Sequence, residues 1–143
     1  MYKYAVSLFA LFLFVPISSV YAQSTTATLQ QGTNGYSGVS DTYVSTWDQG
    51  SMMGSADRLL VRMSREMSSL IKFDLSSVPV GATIQSATLE LYMYEPFSQE
   101  AGTINVYRVL PGRQWNEAQS TWTQYVSGSN WSTPGMAAGS DYN

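Results

Sequence analysis

Apolar and polar residues alternate with a period of two along three segments in the middle of the chain. These segments are Arg58–Met63, Ser68–Leu75 and Thr83–Tyr94. Successive side chains of a β-strand point to opposite faces of its sheet, so the alternation predicts three strands that each bury one face. No window sustains the period of about 3.6 residues that is typical of an amphipathic helix. The pattern therefore predicts an all-β domain.

Weaker alternation and turn-forming residues extend this prediction. Shorter strands are predicted at Thr26–Gln30, Asp41–Thr46 and Thr103–Leu110, and turns at Val78–Gly81 and Pro111-Gly112. Proline favours the second position of a tight turn, and glycine tolerates the backbone angles that such turns require. Strands that recur at intervals of about 10–15 residues with turns between them are typical of a β-sandwich or β-barrel.

The alternation also predicts which side chains face the core. Within Ser68–Leu75 the odd-numbered positions are the more apolar set, so Phe73 is predicted to face inward and Leu70 and Lys72 outward. Arg58–Met63 is expected to pair with this strand, because a shift of one residue would turn one apolar set to water. That pairing places Leu59, Val61 and Met63 opposite Phe73, Ile71 and Ser69. Leu89 is expected to be buried in the same core.

The N-terminus has the composition of a secretory signal peptide. One lysine precedes an apolar run over Ala5–Val15, Pro16 follows, and Val20-Tyr21-Ala22 supplies small or short residues at the cleavage position. The run is too short to span a bilayer, which takes about 20 residues. We therefore expect residues 1–22 to be removed on export, residues 23–143 to form one secreted domain, and no membrane association after cleavage.

Composition removes several classes of function. The chain has no cysteine and no histidine, so Ser-His-Asp and Cys-His nucleophiles and ordinary zinc or copper sites are excluded. Its formal net charge is −3, which lacks the basic footprint of a nucleic-acid-binding protein. Carboxylates, tyrosines and cations remain, and nothing in their spacing sets two carboxylates across a sugar. We expect no enzyme activity and no nucleic-acid partner.

Two long motifs resemble a known family. Lys72–Tyr92 reads KFDLSSVPVGATIQSATLELY, and Trp115–Trp122 reads WNEAQSTW, a WxExxxTW box. Together with Asp41–Val44 as an opening strand, they resemble the DNRLRE domain, the disaggregatase-related module classed as carbohydrate-binding module family 96. The resemblance implies a jelly-roll-like β-sandwich in a secreted or cell-surface protein. It also implies polysaccharide binding, with alginate among the ligands, and no catalysis by the module.

The resemblance also bears on the length of the protein. Modules of this family continue with further strands and often adjoin other domains, whereas the residues after Trp122 are rich in glycine and serine. We therefore expect the natural protein to be longer and the sandwich to lack its last strand or strands here. An incomplete sandwich would leave Leu91 partly uncovered beside an unpaired edge.

The tryptophan box invites two interpretations. Trp115 and Trp122 have the flat rings that stack on sugars, but the box belongs to the fold pattern of the module. We interpret Trp115, Glu117, Thr121 and Trp122 as a structural motif that plugs the sandwich. A single helical turn is predicted within the box, over Glu117–Ser120.

The candidate carbohydrate-binding surface combines aromatic rings with cations. Tyr92 and Tyr94 share the polar face of the long predicted strand, with their rings about 7 Å apart, which suits consecutive sugar rings. An acidic polymer needs cations, and arginine binds a carboxylate through two hydrogen bonds. The residues assigned to binding are Trp47, Arg58, Arg62, Lys72, Tyr92, Tyr94 and Trp131. The alternative for the cations is an ordinary solvated face with salt bridges.

No cofactor is expected, with one alternative left open. Jelly-roll modules often hold a structural calcium ion between carboxylates and backbone carbonyls, and Asp41 and Asp141 lie near the two ends of the domain. They lack the closely spaced carboxylates of a dedicated calcium loop. Asp41 and Asp141 are the only metal candidates that the sequence offers.

The sequence thus predicts a secreted, non-catalytic module that binds a polysaccharide, with an alginate-like acidic polymer as one ligand class. The alternative is a structural or adhesive β-sandwich of a cell-surface or matrix protein that has no sugar site. Retention of a polysaccharide by residues 23–143 distinguishes the two.

Overall fold

The computed structural model describes residues 24–93 and 103–143, which contain four β-strands in two antiparallel pairs. The first pair joins β1 (Val39–Ser45) to β2 (Met67–Phe73), and the second joins β3 (Gln124–Val126) to β4 (Ser129–Asn130). Short 3-10 turns at Thr33–Gly35 and Met63–Arg65 precede β1 and β2. The described residues form no α-helix. The predicted all-β class is confirmed, and the antiparallel pairs are consistent with a β-sandwich.

The pair β1–β2 is the longest ladder in the described residues. It runs in unbroken register from Val39 opposite Phe73 to Ser45 opposite Met67. The sequence predicts both strands, with ends that differ by one or two residues. Valine, isoleucine, tyrosine and phenylalanine in these strands favour the pleated backbone because their side chains pack well against cross-strand neighbours.

The core lies on one face of this ladder, under the loop-rich segment that follows residue 109. Thr42, Val44 and Leu70 are the buried residues that the ladder contributes near the centre of that face. The C-terminal segment adds three tryptophans, which supply much of the apolar surface that is removed from water. The apolar core residues are Val44, Leu70, Trp115, Trp122, Trp131 and Met136.

A glycine permits the close approach of two parts of the C-terminal segment. The amide of Gly135 donates to the carbonyl of Trp122 at 2.7 Å, and its φ is +79°. A Cβ atom at this position would collide with the indole ring of Trp122. Glycine is therefore required both by the left-handed backbone and by the packing of the ring.

The predicted facing of β2 is wrong. Leu70 is only 4% exposed, whereas Phe73 is half-buried. Lys72 shares the Leu70 face, because alternate residues of a strand point the same way. The alternation identified the more apolar set correctly, but the tryptophans of the C-terminal segment cover the other face. The alternation of a strand separates its two faces, but it does not identify the face that a distant segment of the chain will bury.

The strand predicted at Arg58–Met63 is also absent. A single antiparallel bridge between Arg62 and Met67 replaces it, and the pairing partner of β2 along its whole length is β1. Ser64 and Arg65 adopt positive φ angles of 58° and 59°, so the chain turns sharply before β2 begins. The predicted strand at Thr26–Gln30 is not formed either.

Two further predicted strands are not formed as expected: Thr83–Tyr94 has no strand partner in its described residues, and Thr103–Leu110 pairs only at its end, through an antiparallel bridge between Val109 and Tyr142. Residues 83–93 and 103–108 carry no strand assignment, and Leu89 and Leu91 are 44% and 60% exposed. The expected burial of Leu89 is therefore wrong, and Leu91 is exposed in a segment that forms no strand. Alternation marks an amphipathic segment, but a strand also needs a neighbouring backbone for its hydrogen bonds. Tyr94, at the end of the longest predicted strand, lies outside the described residues.

The predicted signal peptide, residues 1–22, lies outside the described residues. Within residues 24–93 and 103–143, no helix is long and apolar enough to cross a membrane.

The facing of β2 is tested by removing side chains from its two faces. Leu70→Ala should lower the free energy of unfolding by about 2–5 kcal/mol, because it opens a cavity in the core. Ile71→Ala removes a side chain of similar size from the half-buried face and should cost clearly less. Urea unfolding of the two variants measures the difference, and a larger loss for Ile71→Ala would contradict the observed facing.

Candidate functional site

The tryptophan box lies inside the fold. Trp115 and Trp122 are buried in the core, where a structural role requires them. The hydroxyl of Thr121 accepts a hydrogen bond from the amide of Gln124 at 3.1 Å, which fixes the turn after the box. The amide of Ser120 donates to the carbonyl of Asn116 at 2.8 Å and closes the single helical turn that the sequence predicts.

Glu117 holds the box against an earlier loop. It is half-buried, and its carbonyl lies so close to Gly54 that a Cβ atom on the glycine would collide with it. The box therefore contacts the segment between β1 and β2 through backbone packing.

Trp131 does not lie where the sequence suggests. It is only 3% exposed, and its indole N–H donates to the carbonyl of Thr121 at 3.0 Å. The ring of Tyr125 packs on it with the two centroids 5.4 Å apart. The sequence assigns Trp131 to carbohydrate binding, but its small polar neighbours belong to a loop that folds over the core and buries the ring. Its ring has no open face on which a sugar can stack.

A buried carboxylate organises the C-terminal segment. Asp141 is fully buried, and its Oδ1 accepts a hydrogen bond from Arg113 Nε at 2.6 Å. The amide of Ala137 donates to Oδ2 at 2.7 Å. The amide and hydroxyl of Ser132 donate to the same carboxylate at 3.1 Å and 2.9 Å. One side chain thus ties together residues that lie far apart in the segment.

These contacts change the pKa of Asp141. Burial alone would raise the pKa of the carboxyl, because it penalises the charged form. The hydrogen bonds from Arg113, Ala137 and Ser132 outweigh that effect and hold the pKa below its ordinary value of 3.8. Asp141 is therefore ionised at neutral pH.

An exposed aromatic ring lies at the other end of the ladder. Trp47, just after β1, is 61% exposed, and the guanidinium carbon of Arg62 lies 4.4 Å from its ring centroid. Arg62 Nε also forms an ion pair of 2.6 Å with Glu66 Oε2. Trp47 and Arg62 are both predicted to bind carbohydrate. In the described residues, theirs is the one contact between an exposed aromatic ring and a cation of that predicted set. We call Trp47, Arg62 and Glu66 the Trp47 platform.

The backbone holds the Trp47 platform at the end of the β1–β2 ladder. The amide of Thr46 donates to the carbonyl of Glu66 at 2.9 Å, which continues the ladder by one pair. The amide of Arg62 donates to the carbonyl of Met67 at 3.1 Å, and the amide of Trp47 donates to Ser45 Oγ at 3.1 Å. Each residue of the platform is therefore tied, directly or through its neighbour, to a strand end.

The other predicted binding residues lie in different surroundings. Lys72 Nζ lies 4.8 Å from the ring centroid of Trp115 and donates to its carbonyl at 3.3 Å. Arg58 forms an exposed ion pair with Asp57 at 3.0 Å. Tyr92 is 90% exposed in the segment without strand partners, and Tyr94 lies outside the described residues. Among the predicted residues that the structure describes, Trp47 and Arg62 are the pair that it brings into contact with each other.

Lys72 also lines a shallow groove of about 400 Å³ beside the start of β1. Ser37, Ser40 and Asp74 are among its other lining residues. Its one aromatic lining residue, Phe73, is half-buried, so a flat exposed ring of the kind that the Trp47 platform offers is not part of this groove.

The metal candidates do not form a cluster. Asp41 lies on β1 opposite Ile71, and Asp141 is held by Arg113. In residues 24–93 and 103–143, no three histidine, cysteine or carboxylate side chains come together as metal ligands. A calcium ion at Asp141 would have to displace the guanidinium group from Oδ1. Calcium binding stays a prediction that the arrangement of these two residues does not favour.

Sequence reasoning missed two partner residues, Glu66 in the Trp47 platform and Arg113 beside Asp141. Glu66 stands four residues after Arg62, a spacing that could have suggested an ion pair, although here the pair spans a turn and not a helix. Arg113 lies two residues before the tryptophan box, and no local pattern links it to Asp141. The ion pair of the C-terminal segment is visible only after the chain has folded.

Comparison with known protein families matches residues 32–138 to carbohydrate-binding module family 96. Neither the curated proteins nor the solved structures that were compared with the chain gave a match. The matched range includes the Trp47 platform and the tryptophan box.

The role of Asp141 is tested by its pH dependence. Because its pKa is lowered in the folded protein, the stability that it contributes is present above 3.8 and is lost as pH falls through the lowered pKa. Asp141→Ala should cost about 3–5 kcal/mol at neutral pH, because it leaves Arg113 and the buried donors without their partner.

Asp141→Asn is the matched control, since it keeps an accepting oxygen but does not titrate. The difference in melting temperature between the wild type and Asp141→Asn should be constant near neutral pH and should shrink below pH 3.8. Parallel melting curves of the two proteins across the acid range would show that the charge of Asp141 has no stabilising role.

Proposed function

We propose that this chain, which belongs to carbohydrate-binding module family 96, binds a polysaccharide outside the cell and performs no catalysis itself. Family membership supports carbohydrate binding in general. The export step rests on the predicted signal peptide, and the polymeric ligand rests on the resemblance of the motifs to secreted modules. Further domains of a longer natural chain are part of the same proposal.

The observation that carries the proposal is the exposure of Trp47 beside a polar pair. A tryptophan that keeps 61% of its surface exposed leaves a large apolar ring in water. The electron-rich face of such a ring attracts the C–H groups that line one side of a pyranose. Arg62 and Glu66 add hydrogen-bonding groups at its edge. The combination of an apolar ring with a few polar groups is typical of sites that bind small polar molecules.

An alginate-like acidic polymer is one ligand class within this proposal. The sequence suggests it through Arg58, Arg62 and Lys72, which would bind carboxylates. Arg58 and Arg62 each pair with a neighbouring carboxylate. An acidic ligand must therefore compete with Asp57 and Glu66 for the guanidinium groups.

Two observations support the absence of catalysis. Carbohydrate-binding module families are typically non-catalytic, and the chain lacks several catalytic residue types. Histidine and cysteine are missing. Asp141 is paired with Arg113, and the hydrogen bonds that it accepts hold its pKa below the ordinary value, which favours the charged carboxylate over a proton-donating acid. A glycoside hydrolase needs one carboxyl group that stays protonated to act as an acid.

Binding is tested by affinity electrophoresis of the purified protein in gels that contain alginate, polygalacturonate, a neutral β-glucan or a galactomannan. We expect at least one polymer to slow the protein relative to a polymer-free gel and to a non-binding protein of similar mass. Equal mobility in all gels would overturn the proposal and favour a structural or adhesive module.

Export is tested by expressing the full chain with its own N-terminus in a secreting host. We expect protein in the medium whose first residue, read by mass spectrometry, is Gln23, because cleavage is predicted after Ala22. Retention of the full-length chain in the cells would contradict the secreted location.

A further inference from the structure

We infer that the Trp47 platform takes a neutral sugar ring, and that Glu66 is the residue that disfavours acidic sugars there. The inference rests on the proposed function, since it assumes that the chain binds a polysaccharide. Within the proposed function it selects a neutral ligand for this surface, against the alginate-like polymer that the sequence suggests, and it gives one carboxylate a specificity-determining role.

The charge of the platform is the first argument. Arg62 is neutralised by Glu66, whose Oε2 lies 2.6 Å from Arg62 Nε. Asp48 follows Trp47 directly in the chain and is exposed, so it adds a second negative charge to this part of the surface. Arg65, the next cation along the chain, donates instead to the carbonyls of Gly135 and Met136. Within the described part of the chain, Arg62 and Arg65 therefore bring no excess positive charge to the Trp47 ring that would attract a carboxylate ligand.

The pattern of donors and acceptors is the second argument. A sugar hydroxyl both donates and accepts hydrogen bonds, whereas an ionised carboxylate only accepts them. Arg62 supplies donors and Glu66 supplies acceptors, side by side at the edge of the ring. Neighbouring hydroxyls of a neutral pyranose satisfy both groups at once. A uronate carboxylate satisfies Arg62 but meets the charge of Glu66.

The exposure of the ion pair is the third argument. The side chains of Arg62 and Glu66 are 37% and 41% exposed, so both can contact a ligand without first being uncovered. Arg62 covers part of the Trp47 ring, yet Trp47 keeps most of its surface in water.

The platform is also fixed before a ligand arrives. The carbonyl of Glu66 is bonded to the amide of Thr46, and the amide of Arg62 to the carbonyl of Met67, so both side chains extend from paired backbone. A surface that is ordered in advance loses less conformational freedom on binding. The paired backbone therefore lowers the conformational cost of binding a sugar ring.

The test compares four proteins, namely the wild type, Trp47→Ala, Glu66→Gln and Asp74→Asn. Asp74→Asn is the charge-matched control, because Asp74 is an exposed carboxylate just past the opposite end of β2. Its Oδ1 accepts a hydrogen bond from the amide of Ser76 at 2.8 Å, which asparagine can also accept. The ligands are a neutral β-glucan, a galactomannan, alginate and polygalacturonate, each at low and at raised salt. Thermal melting verifies that each variant is folded.

The wild type should bind a neutral polymer more tightly than either acidic one. Trp47→Ala should weaken that binding by about tenfold or more, which corresponds to about 1.4 kcal/mol. Glu66→Gln should weaken neutral binding and strengthen binding to alginate or polygalacturonate several-fold, and raised salt should remove the gain because it is electrostatic. Asp74→Asn should behave as the wild type.

A wild type that prefers acidic polymers, or a Glu66→Gln variant without the gain, would overturn the inference. Full binding by folded Trp47→Ala would overturn it as well while leaving polysaccharide binding intact. A wild type that binds none of the four polymers would overturn the proposed function together with the inference.

Discussion

The buried carboxylate of Asp141 is the constraint on which the C-terminal half of the structure depends. This half has little regular secondary structure, and its strands are two and three residues long. Ladder hydrogen bonds therefore cannot hold it. Asp141 instead accepts hydrogen bonds from Arg113, Ser132 and Ala137, and its own carbonyl accepts one from the amide of Leu110 at 2.8 Å. A buried charge is tolerated because each of these donors compensates for the water that it has lost.

This organisation explains why three of the four tryptophans of the chain are buried and one is exposed. Trp115, Trp122 and Trp131 belong to the segment that Asp141 holds, and they are buried against Val44 and Leu70. Trp47 belongs to the β1–β2 ladder and remains exposed. The three rings of the C-terminal segment thus serve stability, and the ring of Trp47 is available for recognition. The ladder joins the two regions, since one of its faces supports the core and one of its ends carries the Trp47 platform.

The sequence predicts the class of the fold and the family, because both follow from alternation and from long contiguous motifs. It predicts β1 and β2 for the same reason. It fails on the facing of β2, on the burial of Trp131 and on the strand at Arg58–Met63, since these depend on which distant segment lies alongside. Of the candidate site, Trp47 and Arg62 are found from residue type alone. Glu66 is not, because its effect arises from a distance to Arg62 that only the folded turn at Ser64 and Arg65 creates.

The central claim is that carbohydrate contacts Trp47 and leaves the three tryptophans of the C-terminal segment in the core. The four indole N–H groups give separate signals in the spectrum of the ¹⁵N-labelled protein, so one titration with oligosaccharides of the bound polymer examines all of them. The account predicts a saturable shift of the Trp47 signal and unchanged signals from Trp115, Trp122 and Trp131. Saturable shifts of the buried indoles, with Trp47 unmoved, would contradict it.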